Sequence, residues 1–463
     1  MKTDTTKKII ISCAVVVLIT CMCLSLIMVG GALVSVLWPI DFDKIDASTF
    51  TDTFKPLTGT EFLGETVLPE NVAVEMQEIE VNVSQLRGLA LVDEVPKVLL
   101  SPEMLQEIVV NEFFAEYSDE DARQDALILS LLGLIPEDFE LRSFYHALYT
   151  EQIAGFYDRE TKEIYLVSGV AFNGFEKMTY AHEFTHVLQD QTYGLDDGLG
   201  ITEEACDEDS ERCAAIQALI EGDASLTEYL WFTNHATRKD QKDVFRMSNN
   251  YDSQVFDDAP PFFQQDLLFP YDQGLAFVEF LYTQDGFSAI DAAYRNPPVS
   301  TEQILHPERY PWDVPQLVSL PNLETVLGDD WSLLVENVMG EWSTYLILSQ
   351  PYEADYRLSN SQASDAAEGW GGDAYAFYLN EVNDEILFIL DMVWDSVQDA
   401  DEFMTAVAHY ADLRWEEAPQ DAGGQPTWIG LEGIIVLFQE GERTLWMIAP
   451  DETLAETVFE VLK

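Results

Sequence analysis

A His-Glu-x-x-His pattern occupies residues 182–186, and it restricts the local fold more than any other feature of the chain. The apolar spacing of the surrounding segment, 175–192, predicts a helix. His182 and His186 are four residues apart and share one face of that helix, so both imidazoles can reach a single metal ion. Glu183 follows the first histidine, where its carboxylate can accept a proton from a water molecule on that ion. The pattern therefore predicts a Zn²⁺ site with His182 and His186 as metal ligands and Glu183 as the general base.

A catalytic zinc site needs a third protein ligand, and the first candidate is Glu221. It follows an apolar run within a predicted helix, 209–235, so its side chain should point inward, where an unpaired carboxylate is costly. Asp223 is a candidate hydrogen-bond acceptor for one of the ligand imidazoles. Four further residues remain open as the third ligand: Asp190, Asp196, Glu211 and His235.

A hydrolytic zinc site also uses a donor that stabilises the oxyanion of the transition state. The candidates are Tyr229, His235, His306 and Arg309. His306 comes first because it lies on a proline-rich loop, whereas His146 and His409 are interpreted as structural. Cys206 and Cys213 are seven residues apart, and the sequence leaves open whether they form a disulfide or stay free thiols.

Three stretches, Glu151–Asp158, Ala181–Gln191 and Ile220–Ala224, together resemble a little-characterised group of bacterial zincin-type metallopeptidase-like proteins. The resemblance continues through Ser300–Pro307 and covers roughly residues 85–350. It implies a gluzincin-like arrangement in which His182, His186 and Glu221 bind one Zn²⁺ per chain and Glu183 is the base. The resulting hypothesis is a zinc metallopeptidase that hydrolyses peptide bonds in a peptide or protein substrate.

Two alternatives to this hypothesis stay open. The first is a non-catalytic, membrane-tethered binding or scaffold protein that keeps a zincin-like fold. The second is a purely structural zinc ion, which would need a fourth protein ligand that closes the site. The presence of Glu183 favours the enzyme, because a site that no longer cuts would be free to lose its base.

The N-terminal segment predicts a membrane anchor. Residues 9–38 contain no charged side chain, and as a helix they would span roughly 45 Å against a hydrocarbon core of about 30 Å. Lysines precede this segment and aspartates follow it, so the positive-inside rule predicts a single-pass cell-membrane protein with a cytoplasmic N-terminus and an extracytoplasmic catalytic domain.

The net charge of −61 excludes nucleic acid as a partner, because the negative field of the protein repels the phosphates of the backbone.

The predicted fold class is α+β. A transmembrane helix would precede a mainly helical zincin-like metallopeptidase domain with a β-hairpin (153–157 and 162–167) that offers an edge strand, and a small α+β domain would follow. The predicted segments are a cytoplasmic N-terminus (1–8), the anchor (9–38), a juxtamembrane stalk (39–84) with a short alternating stretch at its end, the zincin-like domain (85–350), a linker (351–372) and the C-terminal domain (373–463). Within the zincin-like domain, helices are expected after Pro102 and over 329–349.

Overall fold

The computed structural model describes residues 68–463, except 102, 105–106, 109–110, 112–113, 115–116, 153, 168–171, 251–252, 416–419, 423–424 and 431–432. The predicted segments 1–8 and 9–38 lie outside the described residues. So do most of the predicted stalk and much of the helix expected after Pro102.

Helices and strands alternate irregularly along the described chain. The helices are α1 (Glu70–Arg87), α2 (Asp119–Leu131), α3 (Leu141–Gln152), α4 (Gly174–Tyr193), α5 (Glu203–Glu208), α6 (Ser210–Asn234), α7 (Arg238–Asn250), α8 (Gln254–Asp257), α9 (Pro261–Asp285), α10 (Phe287–Arg295), α11 (Thr301–Leu305), α12 (Glu324–Leu327), α13 (Gly340–Ser349), α14 (Asn360–Ala367), α15 (Val397–Arg414) and α16 (Glu452–Leu462). The strands are β1 (Lys97–Leu100), β2 (Gly155–Asp158), β3 (Glu163–Val167), β4 (Trp331–Asn337), β5 (Trp370–Asn380), β6 (Ile386–Trp394), β7 (Gln420–Ala422), β8 (Gln425–Gly430), β9 (Gly433–Glu440) and β10 (Arg443–Ala449).

Helix α1 occupies the end of the predicted stalk, where the sequence suggested an alternating stretch. Its buried residues Val72, Met76, Ile79 and Val83 are spaced by three or four positions, which is the period of a helix rather than of a strand. They share a core with Ala181, Phe184 and Val187 of α4. The apolar stripe of α1 therefore packs directly against the helix that carries the His-Glu-x-x-His pattern.

The predicted β-hairpin is present and belongs to a three-stranded sheet. Strands β2 and β3 pair antiparallel, β1 adds to β3 in parallel, and the order β1–β3–β2 leaves β2 at an edge. Helix α4 packs against this hairpin and begins with a capping box in which Asn173 and Glu176 satisfy each other's backbone N–H groups. The cap and the hairpin together fix the start and the direction of the helix that carries the His-Glu-x-x-His pattern.

Helices α6 and α9 touch through their backbones. A Cβ atom on Gly222 would lie 2.1 Å from the carbonyl oxygen of Gly274, and a Cβ on Gly274 would lie 2.2 Å from that of Ala218. Only glycine fits at these two positions, since any side chain would overlap the facing main chain. This contact holds α9 beside Glu221, the residue that precedes Gly222.

A disulfide between Cys206 and Cys213 links α5 to the first turn of α6.

Replacing Gly222 with alanine is expected to destabilise the protein by about 1–3 kcal/mol, because the added methyl group forces α6 and α9 apart. Helix propensity alone would give the opposite sign, since alanine is favoured over glycine by about 1 kcal/mol in a helix interior. Urea denaturation of the purified chain measures the difference. Ser225→Ala, on the same helix, is the matched control and should change stability by less than about 0.5 kcal/mol. A Gly222→Ala protein as stable as the parent would contradict the backbone contact.

The C-terminal unit is built on an antiparallel sheet of seven strands in the order β4–β5–β6–β10–β9–β8–β7. Alternate side chains of its central strands face opposite sides, as the period of a strand requires. One face, with Phe388 and Trp446, packs on α15, and the other, with Leu387 and Leu445, packs on α16. The unit therefore has helices on both faces, and its central strands are buried on both sides.

This sheet begins earlier than the sequence suggested. Residues 331–337 form β4 where the sequence predicts a helix, and α13 starts only at Gly340, whose φ of +75° lies in the left-handed region. The predicted linker contains α14 and the first residues of β5. Small residues such as Ala363 and Ala366 gave this stretch the composition of a linker, but they are buried against neighbouring helices.

The helical part that contains α4 and α6 and the C-terminal unit share one apolar core. This core includes Ile216 and Leu219 of α6, Trp342 and Leu346 of α13, and Trp446 of the large sheet. Buried polar contacts reinforce the junction, because the backbone N–H and the hydroxyl of Ser210 both donate to Asn337 Oδ1 at 2.9 Å. The two parts of the molecule therefore pack as one body.

The architecture is α+β, but the predicted fold class is wrong in placing a transmembrane helix ahead of the two domains. None of the helices within the described residues is long and apolar enough to cross a membrane. Even α6 and α9, with 25 residues each, carry acidic side chains such as Glu221 and Asp266 on their buried faces. Residues 9–38, on which the prediction rested, lie outside the described part of the chain.

Candidate metal centre

The side chains of His182, His186 and Glu221 converge between α4 and α6. Nε2 of His182 lies 3.1 Å from Oε2 of Glu221, and Nε2 of His186 lies 3.4 Å from the same oxygen. One ligand atom from each residue lies within 4.8 Å of the other two. All three side chains are buried. The two histidines lie on successive turns of α4, and Glu221 extends toward them from the facing helix, α6.

Each imidazole is held by a partner on its other ring nitrogen. Nδ1 of His182 lies 2.9 Å from Oε2 of Glu228, and Nδ1 of His186 lies 2.8 Å from Oε1 of Gln189. The amide of Gln189 has a fixed orientation, since its Nε2 donates to two acceptors, the carbonyl oxygen of Ile220 and Oδ2 of Asp223, both at 3.0 Å. Its Oε1 must therefore accept a hydrogen bond from His186 Nδ1, which leaves the lone pair of Nε2 directed at the cluster.

The electrostatics of the cluster favour a cation. Burial raises the pKa of Glu221, but the charges of His186 and His182 and the hydrogen bond to His182 outweigh it and lower this pKa to about 2. Burial lowers the pKa of His182, but hydrogen bonds to Glu221 and Glu228 outweigh it and raise this pKa well above its ordinary value. Positive charge between these carboxylates is thus stabilised, whether it is carried by a proton or by a metal ion.

The donor set fits Zn²⁺. Ligand atoms about 2.0–2.1 Å from a tetrahedral zinc ion lie roughly 3.3 Å from each other, which matches the 3.1 and 3.4 Å separations from Glu221 Oε2. Nε2 of His186 is buried and makes no hydrogen bond. Among the described residues, this cluster holds three side chains with ligand atoms and no fourth one. Three protein ligands leave a coordination position for water or substrate, as in catalytic rather than structural zinc sites.

Glu183 lies beside the cluster and faces the hairpin. Its carboxylate is buried, and its Oε2 accepts a hydrogen bond from the backbone N–H of Tyr157 at 2.9 Å. The ladder between β2 and β3 uses the backbone groups of alternate residues, including Ala154 and Asp158. Tyr157 therefore directs its N–H away from β3 and toward Glu183, which borders the outer edge of β2.

The other residues proposed as the third ligand have different partners or lie at the surface. Oδ2 of Asp190 accepts from Tyr157 and Lys162, Asp196 pairs with Arg159, Glu211 accepts from Thr301, and His235 is exposed. Asp223 does not contact a ligand imidazole directly. It is two positions from Glu221, about 200° around the helix, so it points away from the cluster and reaches His186 only through Gln189.

The candidate oxyanion donors also lie in other environments. His306 Nε2 bonds Glu341 Oε1 at 2.8 Å, and Arg309 bonds Glu302 and Glu368. Tyr229 is half-buried at the far end of α6. In contrast, Tyr271 of α9, which the sequence did not single out, lies against the site, with its ring centroid 6.3 Å from that of His182.

Sequence reasoning missed the residues that support the ligands, although their spacing carried a signal. Gln217 donates to Oε1 of Glu221 at 2.7 Å, and Glu228 bonds His182. These two residues lie four positions before and seven positions after Glu221, which places all three on one face of α6. Gln189 lies three positions after His186 on α4 in the same way.

A family model described as "Domain of unknown function (DUF8575)" matches residues 332–458. The match covers most of the C-terminal unit, about a quarter of the chain, and does not include the metal cluster. No curated protein and no solved structure matches the chain. The resemblance to zincin-type metallopeptidase-like proteins therefore stays a prediction.

Proposed function

We propose that this protein is a zinc-dependent peptidase in which His182, His186 and Glu221 hold the metal and Glu183 is the general base. The observation that carries the proposal is the convergence of three buried ligand atoms within 4.8 Å of one another. Both histidine nitrogens lie at the spacing of tetrahedral zinc ligands from Glu221 Oε2, and a second carboxylate, that of Glu183, follows His182 on α4. Zinc bound there would act as a Lewis acid and lower the pKa of a bound water molecule to about 7.

The other residues of the site orient the metal ligands or transfer the proton. Glu228 and Gln189 orient the two imidazoles, and Gln217 orients the carboxylate of Glu221. The carboxylate of Glu183 accepts a proton from the attacking water and returns it to the leaving amine. Its hydrogen bond to the backbone of Tyr157 fixes its direction while it does so.

The edge of β2 supplies a place for the substrate. An extended peptide can add to an edge strand through main-chain hydrogen bonds, and β2 is the edge strand beside the proposed base. A bond held in this position lies close to both the metal ligands and Glu183. This arrangement favours a peptide or protein as the substrate class.

The burial of the site favours a second candidate function. The residues His182, His186, Glu183 and Glu221 are each at most 1% exposed. A binding or scaffold protein in which the metal ion only holds α4 against α6 would have the same closed arrangement. Such a protein would bind zinc and would not hydrolyse peptides.

Metal removal tests the proposal on the full-length chain. Mass spectrometry should find about one zinc ion per chain, and a quenched peptide library should be cleaved. Incubation with ortho-phenanthroline should remove both the metal and the activity, and added zinc should restore both, whereas the non-chelating meta isomer should change neither. Zinc binding without any cleavage would favour the scaffold, and a chain that binds no zinc under any condition would rule out both functions.

A further inference from the structure

Arg87, the last residue of α1, is a buried cation close to the metal centre. Its side chain is 1% exposed, and its Nε donates to Oδ2 of Asp223 at 3.0 Å. Its Nη1 donates to Asp291 at 2.7 Å, and its guanidinium group lies 4.7 Å from the ring centroid of Phe287. A charge buried this deeply is stable only with such partners, so α1 is fixed at this end by specific contacts.

The same oxygen of Asp223 continues the connection toward the metal centre. Oδ2 accepts hydrogen bonds from Arg87 Nε, from Gln189 Nε2 and from the hydroxyl of Tyr294, each at 3.0 Å. Gln189 in turn holds Nδ1 of His186. A continuous chain of buried hydrogen bonds therefore runs from Arg87 through Asp223 and Gln189 to a metal ligand.

Helix α1 has a second contact with the metal helix. Its apolar stripe packs in the same core as Ala181, Phe184 and Val187, which flank the ligands on α4. The stripe fixes how α1 lies along α4, and Arg87 fixes its end against α6 and α10. Movement of α1 away from this position would thus break the connection to His186.

We propose that Arg87 and Asp223 are positioning residues that couple the docking of α1 to metal binding through Gln189. The inference rests on the proposed metal site and adds to it a means of regulation. By linkage, whatever displaces α1 weakens zinc binding, and zinc in turn strengthens the docking of α1. The relevant ligand is the Zn²⁺ ion alone, so the coupling can be measured without a substrate.

The first test measures zinc affinity by competition with a chelating dye. Asp223→Asn keeps the size of the side chain but removes its negative charge and one acceptor oxygen, so both Arg87 and Gln189 are held less firmly. The expected result is a 10–100-fold weaker affinity for zinc, as for other residues that support a metal ligand through hydrogen bonds. Tyr294→Phe removes a different hydrogen bond to the same Asp223 oxygen and is the matched control, with a change of less than about threefold expected. The visible spectrum of bound Co²⁺ should shift in Asp223→Asn and not in the control, which a general loss of stability would not produce.

The second test needs no variant and therefore does not depend on whether Asp223→Asn folds. Hydrogen–deuterium exchange of the wild-type chain is compared with and without zinc. Zinc should slow exchange in the last turn of α1 and its C-cap, residues 84–88, and leave α16 in the C-terminal unit unchanged. Zinc binding with unchanged exchange in α1, or with equal affinity in Asp223→Asn, would overturn the coupling. A wild-type chain that binds no zinc would instead refute the metal site itself.

Discussion

Replacing His182 with alanine is expected to reduce bound zinc from about one ion per chain to background and to abolish peptide hydrolysis. Zinc affinity should fall by more than the 10–100-fold typical of residues that hydrogen-bond a metal ligand, because a ligand atom itself is removed. The substitution also leaves Glu228 buried without its imidazole partner. Glu221→Gln should lose zinc as well, since it removes the negative charge and keeps the side-chain volume.

Two measurements on the same samples check this result. Metal content is determined by mass spectrometry, and folding is compared by circular dichroism. His409→Ala is the matched control, because this histidine is exposed on α15 and should leave metal content and hydrolysis unchanged. Retention of a full complement of zinc by a folded His182→Ala protein would show that the metal, if present, binds elsewhere.

Replacing Glu183 with glutamine is expected to lower kcat by about 10²–10⁴-fold while zinc stays bound. Glutamine has nearly the same shape, and its carbonyl oxygen can still accept the hydrogen bond from Tyr157, so the local structure should persist. What it cannot do is accept a proton. The change therefore separates metal binding from proton transfer, which no substitution of a ligand can do.

Glu176→Gln provides a closely matched control for this experiment. It makes the same substitution on the same helix, two turns earlier, where glutamine also fits the capping box. Both zinc content and kcat should stay at the parental level. If Glu183→Gln cleaved peptides as fast as the parent, the base would have to be another residue. If it lost zinc, its effect on rate would say nothing about proton transfer.

The metal cluster was open to prediction because its signal is local. His182, His186 and Glu183 are fixed by spacing within one helix, and the inward direction of Glu221 follows from the apolar residues before it. The structure brings the two histidines and Glu221 together, as the hypothesis requires. The identity of the metal and the role of Glu183 stay predictions that the experiments above decide.

The supporting contacts were harder to foresee because they depend on tertiary packing. No local pattern shows that Arg87 meets Asp223, 136 positions later in the chain. Likewise, the N–H of Tyr157 reaches Glu183 only because β2 lies at a sheet edge beside α4. Such contacts require knowledge of which elements are neighbours, and a single sequence gives that only weakly.

The errors in the predicted fold also have identifiable causes. The sequence suggests an alternating stretch over Val72–Val83, but the residues buried there have the spacing of a helix. Residues 331–337 were assigned to a helix because their apolar run is long enough for either structure, and periodicity alone does not distinguish a buried strand from a buried helix. The transmembrane helix was inferred from an apolar run outside the described residues, and the described helices offer no equivalent.

The apolar core shared by the two parts of the molecule includes residues of the stretch that the family model matches, 332–458. Trp342 lies within the matched residues, yet its ring packs 4.6 Å from that of Phe269, and its indole N–H donates to Asp266, both on α9. A polypeptide cut at residue 332 would leave large apolar surfaces bare on both pieces. The family model thus recognises residues 332–458 as one stretch of sequence. In this chain, however, neither that stretch nor the part before it is expected to stay folded and soluble when separated from the other.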